Sequence, residues 1–362
     1  MTSIEVHTSG RSYDVLIGAG LLARAGELIS KRLPGRRSAV ISDAKVAALF
    51  GERLQTSLVR AGLEPTPVIV PAGEKAKTLE QAGIVCDEMI GAGLDRQSFV
   101  IGLGGGAVGD LSGFVAAIFQ RGVPHVHVPT TLLAMVDSSI GGKTGVNTSA
   151  GKNLLGAVHQ PSLVLDDVDL LQTLPPREFK QGFAEIIKHA IIADAEMFAT
   201  LANLPEVKLD RLNRSSLEDL IRRNVELKAR IVARDELDRT GERALLNFGH
   251  TVGHAIERVG NYAELRHGEA ISLGIVAASN ISIKKAGLPP EQRDAIVDLL
   301  RRFDLPPRLP PAFARDEIFD ALKLDKKFER GEVRFVVTPK IGSAYLSRDV
   351  TLEDIREAID EV

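Results

Sequence analysis

The 362-residue sequence has one cysteine, Cys86. No intrachain disulfide can form and thiolate-rich zinc sites are excluded, so any metal must be held by histidine and carboxylate. Charge of one sign is also missing: 45 Lys and Arg against 48 Asp and Glu leave a net −3. A nucleic-acid reader carries a basic domain or stripe, and no basic run interleaved with aromatics occurs, so no nucleic-acid partner is expected. No uninterrupted apolar stretch approaches membrane-spanning length, so no membrane partner is expected either. The start, Met1-Thr-Ser-Ile-Glu-Val, lacks a basic segment followed by an apolar one, and a cytoplasmic protein is expected. What is present is an ordinary globular composition, 44% hydrophobic and 26% charged, on a chain long enough for two domains.

The first half alternates short β-branched runs with longer helical patterns. Strands are predicted at 4–7, 13–17, 39–43, 67–70, 99–102, 125–128 and 163–165, with helices between them around 21–31, 44–60, 78–91 and 108–119. Such alternation argues for a mostly parallel sheet covered on both faces, which binds nucleotides where loops leave the carboxyl ends of its strands. Past Pro175-Pro176 long helical patterns take over, at 177–194, 215–238, 248–259, 268–286, 290–303 and 315–322. A short strand at 333–338 and a helix at 352–361 close the chain. The expected organisation is an α/β nucleotide-binding domain over 1–172 and a mainly α-helical, metal- and substrate-binding domain over 173–362.

Gly102-Leu-Gly104-Gly105-Gly106-Ala-Val-Gly109-Asp110 follows a strand and opens a helix, matching G-x-G-x-x-G. Backbone amides at such a turn suit a pyrophosphate. The usual ribose-binding acid about 20 residues further on is missing, since Pro129-Thr130-Thr131 stands there. Asp43, at the end of an earlier predicted strand, is the plausible substitute. Gly142-Lys143-Thr144 and Gly151-Lys152 imitate a P-loop, but Asp137 and Val146 occupy the positions where its first glycine is required. The segment holding Asp137, Lys143, Lys152 and Asn153 reads either as a surface loop or as a cradle for anionic substrate oxygens.

Three of the eight histidines, His250, His254 and His267, lie within 18 positions. An open zinc site takes three protein ligands, commonly imidazoles. His250 and His254 are i and i+4 and share a helix face, but Thr251 stands where a zinc protease has its catalytic glutamate. Glu185, in Ala184-Glu185-Ile-Ile-Lys188-His189, is the candidate carboxylate. The residues alone leave open which of these four bind a metal.

Beside these readings, the chain resembles 3-dehydroquinate synthases over essentially its whole length. The resemblance rests on Pro71-Ala-Gly-Glu74-Lys-Ala-Lys77-Thr78, Gly104 to Asp110, Pro129 to Thr144, Gly151-Lys152-Asn153, Ala184 to Lys188, and Asn247-Phe-Gly-His250-Thr-Val-Gly-His254-Ala-Ile-Glu257. It implies kinship with glycerol dehydrogenases and iron-containing alcohol dehydrogenases, which have a nucleotide half followed by a helical metal half. It further implies a divalent metal, zinc or cobalt, on Glu185, His250 and His267, with His254 facing the substrate phosphate. NAD contacts are implied for Asp43, Glu74, Lys77, Gly105, Gly106, Ala107, Asp110, Thr130, Thr131, Lys143, Lys152, Thr173 and Glu178. The substrate pocket is implied to hold Asp137, Lys143, Lys152, Asn153, Lys188, Lys228, Arg243, Asn247 and Lys327. Arg121 is implied to reach the phosphate site of a neighbouring subunit, which makes a homodimer the expected assembly. Lys45 departs from the family, which often carries Asn there.

The implied reaction converts a small-molecule sugar phosphate, 3-deoxy-D-arabino-heptulosonate 7-phosphate, to 3-dehydroquinate and phosphate. NAD⁺ takes a hydride from C5, the new ketone acidifies C6, and phosphate leaves by β-elimination. NADH then returns the hydride, the ring opens, and an aldol step closes the carbocycle. The alternatives are another NAD- and metal-dependent sugar-phosphate cyclase or a polyol or alcohol dehydrogenase.

Overall fold

The computed structural model describes residues 1–10, 12–204, 213–261, 264–323 and 334–362. The described residues form two compact units, one drawn from Met1–Pro175 and Leu212–Leu237, the other from Pro176–Arg211 and Asp238–Val362.

The first unit is built on seven strands: β1 (Thr2–Val6), β2 (Tyr13–Gly18), β3 (Arg37–Asp43), β4 (Glu64–Val70), β5 (Phe99–Gly104), β6 (His125–Pro129) and, later in the chain, β9 (Leu163–Asp167). Their order is β1-β2-β9-β6-β5-β3-β4. Only β1 and β2 pair antiparallel; every other pairing is parallel. All seven predicted strands are present, because each is a β-branched run bounded by glycine, proline or a charged turn. One sheet face places Val40, Ile101, Leu103, Val126, Val128, Leu163 and Leu165 against Leu28, Ile29, Leu54 and Leu58. The other face sets Ala39, Ile41, Val68 and Val100 against Val85, Met89, Leu111 and Val115. Residues i and i+2 of a strand share a face, so a parallel sheet covered on both sides favours near-continuous apolar runs, here interrupted by the buried Ser42, His125, His127 and Asp166.

Three strands were not foreseen, Ser343–Ser347 in the second unit and two in the first. Lys143–Thr148 (β7) and Gly151–Val158 (β8) pair antiparallel into a separate hairpin. This is the polar segment whose sequence reads as a loop or cradle, and its Gly, Ser and Thr content hides the period-2 signal.

The helix Arg214–Arg234 corrects the expected division at residues 172 and 173. It belongs to the first unit, where Leu217, Leu220, Ile221 and Val225 are buried and its flank meets β1, β2 and the turn Ala134–Ser138. Arg214 reaches Asp169 at 2.5 Å. Burial of an amphipathic face decides such membership, and order along the chain does not.

The second unit is mainly helical. It contains Pro176–Ala193, Ala195–Ala202, His250–Val259, His267–Ala286, Pro290–Arg302, Arg315–Lys323 and Leu352–Asp360, with a hairpin of β10 (Phe335–Lys340) and β11 (Ser343–Ser347). The helix His267–Ala286 is buried along most of its length and runs through the middle of this unit. Helix His250–Val259 approaches it through glycines. A Cβ on Gly274 would lie 1.9 Å from the Gly249 carbonyl oxygen, and Gly249 itself takes a left-handed φ of 79°. That close approach fixes where His250, the next residue, starts its helix.

Candidate functional site

In the first unit, expected site residues gather where the parallel strands end. Asp43 closes β3 and its Oδ1 accepts the backbone N–H of Lys45 at 2.9 Å and of Val46 at 3.0 Å. It is therefore the N-cap of the following turn, whatever else it binds. Lys45 is exposed. Gly105 is the N-cap of helix Gly106–Ile118 and offers no side-chain cap, which leaves the first helical amides, at Gly106 and Ala107, open to an anion. The turn needs glycine for space: a Cβ on Gly104 would stand 2.7 Å from Val108, and one on Gly106 would stand 2.9 Å from Ser138 Oγ. Thr130 donates its N–H to the Gly104 carbonyl at 2.9 Å, and a Cβ on Gly105 would sit 3.2 Å from Thr131 Cγ2. Glycine turn and threonine pair are thus neighbours. Thr173 is exposed at the end of the turn Val168–Thr173.

A polar network stands beside the glycine turn. Lys77, 3% exposed, donates from Nζ to Asp110 Oδ2 at 2.7 Å and to Asn153 Oδ1 at 2.6 Å. Burial raises the Asp110 carboxyl above its usual range, with the Lys77 ammonium opposing. Lys152 lies 3.9 Å from Glu74. Lys228, whose surroundings in sequence resemble a solvated helix face, is buried; its Nζ donates to Asp137 O at 2.6 Å and Oδ1 at 2.7 Å. Lys143 is exposed, and it follows Gly141 and Gly142, both at positive φ. Gly141 N–H donates to the Tyr13 hydroxyl at 3.0 Å. Arg121 is exposed, and it and Gln120 hold left-handed φ values of 69° and 50°. Two consecutive non-glycine residues in that region store strain, a pattern associated with functional loops.

The second unit carries the metal candidates. Glu185, from helix Pro176–Ala193, is fully buried. Its Oε1 lies 3.2 Å from His267 Nε2 and 3.5 Å from His250 Nε2, and its Oε2 accepts from Lys188 Nζ. Ligand atoms of Glu185, His250 and His267 all lie within 4.8 Å of one another. His250 Nδ1 is 3.2 Å from the Phe248 carbonyl, so Nδ1–H donates there and Nε2 presents its lone pair to Glu185. His267 Nδ1 is 3.3 Å from Glu257 Oε2, the carboxylate–histidine arrangement that orients metal-binding imidazoles. A second group, His254, Glu257 and His267, meets the same 4.8 Å separation, but the His254 side chain is 54% exposed.

The electrostatics favour the first group. Burial would raise the Glu185 carboxyl, yet the Lys188 ammonium and the charged His267 hold it well below the usual range, so it is ionised. Burial, reinforced by Lys188, keeps His250 neutral against the pull of Glu185. For His267 burial opposes the charge, but hydrogen bonds to Glu185 and Glu257 prevail and push its pKa up to about 10. The His267 ring thus stands between two carboxylates, surroundings that favour positive charge. Ionised carboxylate, neutral imidazole and an imidazole with a carboxylate behind it fit a divalent cation.

Lys188 and Arg243 are buried, Asn247 and Glu178 half-buried, and Arg266 Nε stands 3.5 Å from Glu178. Lys327 lies outside the described residues. Two contributors were missed from sequence. Glu257 lies seven residues after His250, on the same helix face, which was the available signal. Asn147 gave none.

Comparisons with known proteins show the family. Residues 67–181 match the family model for the 3-dehydroquinate synthase N-terminal domain and residues 182–328 that for the C-terminal domain. The 3-dehydroquinate synthase of Brucella suis is 44% identical over 99% of this chain and 96% of its own length, and that of Brucella abortus is equally similar. Among solved structures, 2-epi-5-epi-valiolone synthase from Streptomyces hygroscopicus, with NAD⁺ and Zn²⁺ bound, superposes with a TM-score of 0.89 at 32% identity over 98% of both chains. A 2-deoxy-scyllo-inosose synthase complexed with carbaglucose-6-phosphate, NAD⁺ and Co²⁺ gives 0.86 at 25% identity over 99% of this chain and all of the other. An iron-containing alcohol dehydrogenase gives 0.70 at 16% identity over 96% of both chains, a likeness of fold. With the glycine turn, the lysine-rich network and the Glu–His–His group each inside a matched domain, this chain belongs to the 3-dehydroquinate synthase family.

Proposed function

We propose that this chain converts 3-deoxy-D-arabino-heptulosonate 7-phosphate to 3-dehydroquinate and phosphate, using NAD⁺ and a divalent cation. The observation that carries this reading is full-length identity of 44% with 3-dehydroquinate synthases, against 32% and 25% with the two other cyclases. When bound, NAD⁺ supplies a reversible hydride acceptor and the cation, zinc or cobalt, polarises substrate oxygens.

The chain's own residues do the rest. Glu185, His250 and His267 hold the cation, with Glu257 orienting His267. The open amides of Gly106 and Ala107 receive the pyrophosphate, while Asp43, Glu74, Lys77, Gly105, Asp110, Thr130, Thr131, Thr173 and Glu178 hold the remainder of the dinucleotide. Lys143, Lys152, Lys188, Lys228, Arg243 and Lys327 neutralise the substrate's carboxylate and phosphate, and Asp137, Asn153 and Asn247 orient its hydroxyls. His254, exposed at its ring, faces the phosphate. The Lys228 ammonium is preset by two hydrogen bonds to Asp137, so little side-chain entropy is lost on binding. Arg121 acts on the site of a second copy in a homodimer.

Metal-replete protein incubated with the heptulosonate phosphate and sub-stoichiometric NAD⁺ tests the reading. Many phosphates per NAD⁺, without accumulating NADH, are expected. NADH rising without phosphate release would indicate a dehydrogenase and overturn it. A cyclase for a sugar phosphate without a carboxylate is the second reading, favoured by the carbaglucose-6-phosphate bound in one of the two cyclase structures. Arg243→Ala and Lys228→Ala separate the two, since each is expected to injure turnover of a carboxylated substrate far more than of a neutral one.

A further inference from the structure

The pairing of β7 with β8 changes register at one place. Val146 pairs with Leu155 and Thr148 pairs with Gly151, so Asn147 alone stands opposite Lys152, Asn153 and Leu154. Such a bulge leaves backbone groups without ladder partners and re-aims the side chains it carries. Asn153 is held there at a left-handed φ of 55°, unusual within a strand.

The Asn147 carboxamide fills the gap in the ladder. Its Oδ1 accepts the Asn153 backbone N–H at 3.1 Å, and its Nδ2 donates to Glu74 Oε2 at 2.7 Å. Its own backbone N–H donates to the Lys77 carbonyl at 2.7 Å, beside a parallel bridge between Asn147 and Thr78. Lys77 Nζ returns to Asn153 Oδ1, which closes a ring from Asn147 through Lys77 and Asn153 back to Asn147. Glu74, the other acceptor, is the carboxylate that faces Lys152. The carboxamide therefore ties Glu74 to Asn153 with both of its ends used, and through these two it reaches Lys152, which lies beside Glu74, and Lys77, which bonds Asn153.

We propose that Asn147 is a positioning residue that presets these four groups, and that it governs affinity for the dinucleotide without touching it. The inference rests on the reading of these residues as nucleotide and substrate contacts. Without the carboxamide, Asn153 loses the acceptor that supports its left-handed backbone, and Glu74 loses the donor that keeps it beside Lys152. The backbone bond to Lys77 survives any substitution at position 147, so the hairpin stays docked.

The chain has no tryptophan, so enhancement of NADH fluorescence on binding to the full-length, metal-loaded protein can be read without background. Asn147→Ala is expected to weaken NADH binding about tenfold, a part of the worth of one ordinary and one charge-assisted hydrogen bond. The KM for NAD⁺ should rise in parallel, and kcat should stay within about threefold. Asn147→Asp keeps the acceptor for Asn153 but sets a carboxylate against Glu74; a smaller loss, about threefold to fivefold, is expected. It serves also as the measurement if the alanine variant does not fold. Unchanged NADH affinity in a folded variant, with the wild type binding normally, would overturn the inference and leave the functional reading standing. A wild type that does not bind NADH would overturn both.

Discussion

Acid should weaken this protein through imidazoles buried in its sheet. His127 stands on β6, 5% exposed, edge-on to His125 with ring centroids 4.8 Å apart. Burial, followed by repulsion from His159, lowers its pKa from 6.5 to about 4. Unfolding restores the ordinary value, so between pH 6.5 and 4 the unfolded chain binds more protons and stability falls as pH falls. The stabilisation is complete above that window and lost below it. From pH 7 to pH 5 this one ring should remove about 2 kcal/mol, and below pH 4 about 3.5 kcal/mol.

His125, fully buried with neither ring nitrogen bonded to another described residue, is shifted in the same direction by burial and by His127. Asp166 acts with the opposite sign. Burial raises its carboxyl well above the usual range, so the folded form keeps a proton that the unfolded form releases, and that cost fades as pH falls. Comparing wild type with His127→Gln cancels the Asp166 contribution and the part of the His125 shift that burial causes. Urea unfolding followed by circular dichroism at pH 7 and pH 5 should show the variant losing about 2 kcal/mol less than the wild type. Parallel losses in the two proteins would refute the argument.

Other expectations follow from the same geometry. Asp166→Val removes a buried carboxyl that no described residue hydrogen-bonds, and should raise stability by about 1–2 kcal/mol in thermal unfolding at pH 7. Gly274→Ala drives a methyl into the Gly249 carbonyl and should cost about 3 kcal/mol, with metal content falling as His250 shifts. Glu185→Gln should weaken metal binding at least about 100-fold, read as metal retained after dialysis, and abolish phosphate release. On the proposal that Arg121 serves the site of a second copy in a homodimer, mixing Arg121→Ala with Lys152→Ala and allowing subunits to exchange should restore about a quarter of wild-type activity, since half the dimers would be mixed and each would have one intact site. No recovery would exclude a shared site.

The sheet was legible because each of its strands carries its own signal. Phe99–Gly104 and residues 163–165 at the start of β9 are unbroken by polar side chains, the pattern of a strand covered on both faces. The hairpin of β7 and β8 lacks that signal; its pairing depends on a bulge and on contacts of Asn147 with a turn 70 residues earlier, which no local window contains. Helix Arg214–Arg234 was found as a helix but assigned to the other half, because its partners β1 and β2 lie some 200 residues away in sequence. At the metal group, spacing identified the histidines but ranked them poorly. An i, i+4 pair shares a face without sharing depth, and here the His250 side chain is 10% exposed whereas that of His254 is 54% exposed. Burial of Glu185 beside Lys188 separates the two, and only tertiary structure supplies it.

Strand order also carries a consequence for synthesis. β9 lies between β2 and β6, so the hairpin of β1 and β2, made first, has no seat in the sheet until residue 167 has been added. At about 5–20 residues per second, the emerging amino-terminal hairpin waits several seconds beside a ribosome with an unpaired edge. The helix Arg214–Arg234, which covers β1 and β2, arrives later still. A nascent chain halted near residue 160 should therefore hold β3 to β6 as a partial sheet with the hairpin protease-sensitive, and release past residue 240 should protect it.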